Sequence, residues 1–323
     1  MKTILSVTAA AVGLCAALAA AGAGAQVFPT HAIRLVVPAA AGGSTDIGAR
    51  IVARRMAAEL GQPVVVDNKG GGGGRIGAIE VAHAPADGYT LLYGNSITHA
   101  LLPGAAKKLQ YDALKDFVPA GQTFWYSTLV VCNPGVPFND IAGLIRYGKQ
   151  NPGQLSTATA GPGSGNHFSS ELLASMAGIS ILAVPYKGNA PAVNDVMAGL
   201  ASCTHITEAK PYVDSGRLKP IATTGLVRDP RFPKVPTIDE SGLKGYDVTW
   251  WQGVFAPAGT PAAVMARISA AVKAAVADPE TKAQVFDQGM NPQFLPAAEV
   301  TKRMEADIRK FHKIAVDSRL DLE

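Results

Sequence analysis

The sequence predicts an α/β protein built from two similar units. Three observations predict it. Apolar runs of strand length alternate with helical stretches from Ile33 to Tyr93. The same alternation restarts at Leu155. Glycine-rich turns fall where strand gives way to helix at corresponding places in both units. Such an order implies parallel sheets covered by helices on both faces.

The elements follow in order. Lys2 opens the chain, and residues 4–21 are almost all apolar or small. Ala23-Gly24-Ala25 supplies small residues where a signal peptidase reads. Residues 1–25 are therefore expected to be a signal peptide, cleaved after about Ala25. A spanning helix would want about 20 strongly apolar residues, and this run is shorter and Ala-rich. Cys15 lies in the run, but Leu14 before it is bulkier than lipid-attachment signals prefer.

Residues 33–38 read as a buried strand. Ile47, Ile51, Val52 and Met56 then recur at helical spacing, and Gly61 closes that helix. Residues 63–67 make a second strand. The glycines from Gly70 to Gly74 must form a loop, followed by a helix over 76–84 and a strand over 89–93. In the second unit a strand at 155–160 precedes a helix carrying Phe168, Leu172 and Met176 and ending at Gly178. A strand at 181–186, a helix at 191–200 and strands at 201–206 and 218–223 complete it. Residues 128–131 and 246–255 are the candidate crossings between units. Residues 261–277 and 296–317 are helical and should pack back on the first unit. The expected domains are 26–125 with 250–323, and 126–249.

Totals exclude several classes. The remaining chain of about 298 residues is long enough for two domains. The formal charge of +4 falls to about +3 without Lys2, too mild and too evenly spread for a nucleic-acid partner. The segment Gly72 to Gly77, GGGRIG, matches G-x-G-x-x-G literally. The acid that dinucleotide binding asks for at the end of the next strand is missing, because residues 89–93 run into Gly94-Asn95. The 6 histidines are scattered and the cysteines form no C-x-x-C, so neither metal nor cofactor is expected. Cys132 and Cys203 are the cysteines left after the leader. They pair in an oxidising compartment if they meet, and are otherwise two buried thiols.

Ligands of open α/β sheets sit outside the carboxyl ends of the strands. Three loops fall there. The first carries Ala39, Ala41, Gly42, Gly43, Ser44 and Thr45 ahead of a helix start, where main-chain N–H groups and a partial positive charge meet an anion. The second carries Gly161, Gly163, Ser164 and Asn166, and the third Ser96 and Thr98. The first two loops contain no Lys or Arg, which favours a carboxylate held by neutral donors over a phosphate. Each loop alone is equally consistent with ordinary caps and tight turns. A fourth candidate, VPYKGNAPAVND, places Asp195 inside a helix, where it could hold an ammonium group, a bridging water or only solvent.

The stretches VVPAAAGGSTDIGARIVARRMAAELGQPVVVDNKGGGGGRIGA, ADGYTLLYGNSITHA, VPYKGNAPAVND and KVPTIDESGLKGYDVTWWQGVFAPAGTP resemble the periplasmic substrate-binding receptors of tripartite tricarboxylate transporters, the Bug receptors. The resemblance runs in order over nearly the whole chain beyond the leader. It implies a type II periplasmic-binding-protein fold, two α/β domains with a ligand cleft between them, and a periplasmic location. It also implies that the loop matching Ala39–Thr45, Ser96 to Thr98, Gly161 to Asn166 and Asp195 meet the ligand. The chain departs from the family at Arg75, where Asn is frequent, and at Ser202. Arg75 could contact a second carboxylate or cover the surface. Thr207 and Glu208 end the 201–206 strand facing the expected cleft. An acid there repels a second carboxylate unless it pairs with an amine or with Arg75.

The function these features imply is capture of a small organic mono-, di- or tricarboxylate, a class that includes aromatic acids and amino acids. The solute would be delivered to membrane carrier subunits with no bond made or broken. Phe124, Trp125, Tyr126, Trp250 and Trp251 flank the crossings, where core packing competes with an aromatic ligand for their rings. The alternatives are a ligand-sensing accessory to a membrane signalling protein, and a serine hydrolase using Ser164 or Ser44. Neither serine has a His–acid pair in the sequence pattern.

Overall fold

A computed structural model describes residues 28–318, so the expected signal peptide at 1–25 lies outside the described residues. The apolar run IRLVV makes β1 (Ile33–Val37), in which Ile33, Leu35, Val36 and Val37 have no exposed surface. Burial of consecutive side chains means that both faces are covered, the condition of an inner parallel strand. β2 (Val64–Asn68) and β3 (Thr90–Asn95) both pair with β1 in parallel. The helices Ser44–Leu60 and Arg75–Ala82 are the crossovers between them, and the first closes at Gly61.

The wholly parallel expectation is corrected from here on. β4 (Phe117–Ser127), β10 (Thr249–Pro257) and β11 (Asn291–Leu295) complete the first sheet in the order β11-β4-β10-β3-β1-β2. β10 runs antiparallel to both β3 and β4, and β11 antiparallel to β4. The second sheet has the order β7-β6-β8-β5-β9, from β5 (Leu129–Cys132), β6 (Ser156–Thr159), β7 (Leu182–Pro185), β8 (Cys203–Ile206) and β9 (Lys219–Thr223). Here β6 is parallel to β7 and β8, while β5 is antiparallel to β8 and β9. In each sheet one strand next to a crossing runs against the βαβ strands, β10 in the first and β5 in the second, and β11 adds a further reversed strand at the edge of the first.

The first crossing is Thr128, between β4 and β5. The second runs from Thr224 to Val248. The two are laced together: Thr128 N–H donates to Thr224 Oγ1 and Thr224 N–H to the Thr128 carbonyl, each at 2.9 Å. Val248 N–H then donates to the Thr224 carbonyl at 2.8 Å.

Cys132 and Cys203 form a disulfide, the first of the two readings of these residues. They stand directly opposite one another in the β5–β8 ladder. The helix Gly165–Ala177 buries Phe168, Leu172 and Leu173, but Met176 of the expected stripe is 37% exposed. The helix Ala262–Ala277 packs on Ser44–Leu60, and Ala297–Ser318 crosses β4, so the C-terminal segment returns to the first unit. Phe311 packs edge-on to Phe168, and Trp250 stacks on Phe311. Phe124, Trp250 and Trp251 are core residues, which answers the question of their use. Among the described residues no helix is long and apolar enough to cross a membrane.

Gly48 sits inside a helix, where it would ordinarily cost about 1 kcal/mol relative to Ala. A Cβ there would lie 2.4 Å from Gln252 Oε1 and 2.9 Å from Tyr93 Oη. Gly48→Ala is therefore expected to lower stability by roughly 1–3 kcal/mol despite its better helix propensity, read by denaturant unfolding. Cys132→Ser, or reduction of the wild type, is expected to cost about 2–4 kcal/mol, because the bridge closes a long loop in the unfolded chain. An unchanged unfolding midpoint under reducing conditions would contradict that role.

Candidate functional site

β1 delivers the chain into Pro38 and the small residues Ala39 to Gly43, and the helix Ser44–Leu60 starts at once. Its N-cap is Gly43, which has no side chain to cap the first turn. Ala41 and Gly42 are exposed, Gly43 and Ser44 half-buried and Thr45 buried. Asp46 is what shapes this loop. Its carboxylate accepts from the Gly42 N–H at 2.9 Å, Arg50 Nε at 3.0 Å and Asn68 Nδ2 at 3.0 Å. Asn68 Nδ2 also donates to the Ala39 carbonyl at 3.1 Å. Burial pushes the Asp46 carboxyl up, but the bonds from Arg50, Gly42 and Asn68 outweigh it and hold the pKa below its ordinary value. Thr45 Oγ1 accepts from Asn95 Nδ2 at 3.3 Å, and Ser44 Oγ reaches Tyr126 Oη at 3.5 Å.

The glycine run joins this loop to the others. A Cβ on Gly70 would lie 3.1 Å from Ala40 N. One on Gly74 would lie 2.8 Å from Thr98 Cγ2, and one on Gly73 would lie 3.4 Å from the Gly163 carbonyl oxygen. Gly163 belongs to the second unit. The run therefore brings the first loop, the Thr98 turn and the Gly161–Asn166 loop together.

In that second-unit loop the helix Gly165–Ala177 has Ser164 as N-cap, again with no side-chain cap bond. Ser164 Oγ turns away to Asn166 Oδ1 at 2.7 Å and to the Gly161 carbonyl. Asn166 Oδ1 also accepts from the Ala160 N–H at 3.0 Å, and its Nδ2 donates to Asn189 Oδ1 at 3.2 Å. His167 Nδ1 accepts from the Gly163 N–H at 3.3 Å. The two loops are thus alike: a tight small-residue turn, held by a polar side chain, before a helix whose first turn receives no side-chain cap.

Other expected residues are placed differently. Ser96 and Thr98 are buried and internally engaged. Ser96 Oγ accepts from the Trp251 N–H at 3.2 Å. Thr98 Oγ1 bonds the Asn95 carbonyl at 3.1 Å and shares a 2.9 Å hydrogen bond with His99 Nδ1. Asp195 is half-buried and accepts from Tyr186 Oη at 2.6 Å. Arg75, the first residue of its helix, is half-buried. It lies near enough to Tyr111 to lower that phenol's pKa against a larger rise from burial. His99 and His205 are buried, and desolvation pushes them down to about 3 and about 4, so they are neutral packing residues. Among the described residues no group of three or more His, Cys, Asp or Glu is placed to hold a metal ion.

The sequence reading placed Asp46 and Asn95 within the first and third loops without a role, and did not single out Asn68, whose amide braces the first loop. Asp46 and Asn68 had signals, an acid in a first helical turn and an Asn at a strand end. Gln252, and the place of the Tyr126 hydroxyl beside Ser44, emerge only from the pairing of β10 with β4 and β3.

The depressed Asp46 pKa contributes stability that is fully present above the unfolded value of 3.8 and is lost as pH falls below it through the folded value. Asp46→Asn is expected to cost about 1–3 kcal/mol near neutral pH. Melting temperature followed from pH 7 downward should fall less steeply in acid for this variant than for the wild type. Parallel curves would contradict the assignment.

The family model described as "Tripartite tricarboxylate transporter family receptor" matches residues 48–319. Protein BugT of Bordetella pertussis is 33% identical, over 84% of this chain and 85% of its own length. R. palustris Rpa4515, solved with adipate, is similar at 33% identity and a TM-score of 0.85, covering 91% of this chain and 99% of that one. MatC of Rhodopseudomonas palustris, solved with bound malate, is similar at 32% identity and a TM-score of 0.81, covering 89% and 99%. The fold is that of the periplasmic binding proteins. On the extent of the match and the identity of its relatives, the chain belongs to the tripartite tricarboxylate transporter family of receptors.

Proposed function

We propose that this protein captures a small organic carboxylate in the periplasm, between its two α/β domains, and delivers it to the membrane carrier subunits of a tripartite tricarboxylate-type transporter. The observations that carry this reading are the approaches of Gly70 to Ala40 and of Gly73 to the Gly163 carbonyl, by which one glycine run links two similar helix-start loops from different sheets. Main-chain N–H groups of the two first turns, Ser44 and Thr45 in one and Gly165 and Asn166 in the other, hold the carboxylate, helped by the partial positive charge of each helix start. Asp46 and Asn166 keep the loops in shape from behind. The hydroxyls of Ser96 and Thr98 build the wall, since their bonds run inward. Arg75 supplies positive charge at the rim, and Asp195 with Tyr186 lines the second-unit side. The adipate and malate held by two structural relatives support the ligand class.

The domains are 26–125 with 250–323, and 126–249, with the ends of β4 and β10 moving the two boundaries to Ser127 and Thr249. β4 stays in the first sheet through Ser127, which supports placing the first hinge at Thr128. Closure about the laced crossings is the signal the carrier reads. A hydrolase reading gains no support: Ser164 Oγ bonds the Gly161 carbonyl and Asn166, and Ser44 Oγ bonds Tyr126, so neither meets a histidine.

Titration calorimetry of the folded protein against a panel of mono-, di- and tricarboxylates, including amino acids, is expected to show one-site binding with the ligand mass unchanged afterwards. Asn166→Ala removes the acceptor that holds Ala160 and Ser164, and should weaken that binding roughly tenfold. A folded protein that binds no carboxylic acid would overturn the proposal.

A further inference from the structure

Glu208 lies just past the carboxyl end of β8, outside the loops assigned above. The residue as a whole is half-exposed, yet its Oε1 is buried and has no hydrogen-bond partner. A buried carboxylate oxygen left unpaired is costly, so such a group in a binding protein points to a partner from outside.

The neighbouring cation does not supply one. Arg231 donates to Asp229 through Nε at 3.1 Å and through its second nitrogen at 2.6 Å, and also to the Thr207 carbonyl at 3.0 Å. Both members of that ion pair are nearly buried, so the charge of Arg231 is already matched by Asp229. Desolvation pushes the Glu208 carboxyl up, and the backbone N–H groups of Glu208 and Thr207 together with the pull of Arg231 do not cancel it.

The position of Glu208 ties it to the proposed site. Its charge is felt at Tyr126, whose hydroxyl meets Ser44 of the first loop at 3.5 Å. The Gln252 side chain hydrogen-bonds the same phenol, so the amide is already engaged there. Glu208 thus leaves an unmatched acceptor near the phenol that meets the first loop. A dicarboxylate held at the helix starts brings a second negative charge toward this acceptor and is repelled by it. A molecule with a carboxylate at one end and an ammonium at the other is held at the first place and matched at the second.

We propose that the Glu208 carboxylate accepts a hydrogen bond from an ammonium group of the ligand, so that this receptor is selective for amino-carboxylates over dicarboxylates. This rests on the carboxylate-receptor reading above and narrows it.

The test is calorimetry on the wild type and Glu208→Gln with chain-matched pairs: 4-aminobutanoate against succinate, and 5-aminopentanoate against glutarate. The wild type is expected to bind at least one amino-carboxylate roughly tenfold or more tighter than its dicarboxylate match. Glu208→Gln should lose that preference by a similar factor while keeping the wild-type melting temperature to within a few degrees. Dicarboxylates bound as tightly as, or more tightly than, their amino matches by the wild type would overturn the assignment to Glu208 and leave the carboxylate reading standing. So would an undiminished preference in the variant. No binding of any carboxylate to the folded wild type removes both. Because the wild-type panel decides by itself, the outcome does not depend on the variant folding.

Discussion

Where Gly73 meets the Gly163 carbonyl, main chain approaches main chain across two sheets with no side chain between them. The same closeness recurs at Gly70 against Ala40 and at Gly74 against the Thr98 methyl. A Cβ would crowd Ala40 at Gly70 and Thr98 at Gly74, and the positive φ of Gly73 disfavours a side chain there too. The loops thereby come close together, which is the arrangement the proposed carboxylate site rests on. Closely placed neutral donors suit a carboxylate that must later be released, since they hold it without a fixed countercharge.

Polar side chains stand behind this main chain rather than in front of it. Asp46 ties Gly42, Arg50 and Asn68 together, and Asn166 does the equivalent work for Ala160 and Ser164. Ser96 and Thr98 look like ligand donors in the sequence but are spent on Trp251 and the Asn95 turn. The loops are thereby held in shape, which in the proposed site would leave little ordering to oppose binding. Charge left unmatched within such a framework stands out, which is why Glu208 is informative and the well-paired Asp229 is not.

Much of the architecture was legible in the sequence. β1, the first helix and its end at Gly61, the helix ending at Gly178 and the return of the C-terminal helices all follow from local patterns. What escaped depends on distant partners. β4 is an 11-residue strand with nearly every residue buried, so it shows no alternation, and its direction is set by β10 far along the chain. The helix Ile141–Gln150 was missed although Asp140 caps it, accepting from the Gly143 N–H at 2.6 Å. The loops of the candidate site were visible as composition. Their convergence was not, because the glycine run that joins them looks in one dimension like a spacer. Pairing of Cys132 with Cys203 was likewise open until register placed them opposite each other.

That disulfide has a mechanical consequence. It links β5, the strand by which the chain enters the second unit at Thr128, to β8, the strand that runs out into Thr207 and Glu208. In the proposed closure, a rotation about Thr128 would be transmitted through a covalent strut as well as through ladder bonds. The acidic group would then swing with the lobe as one lever, its reach toward the opposite lobe set by the hinge angle rather than by local slack.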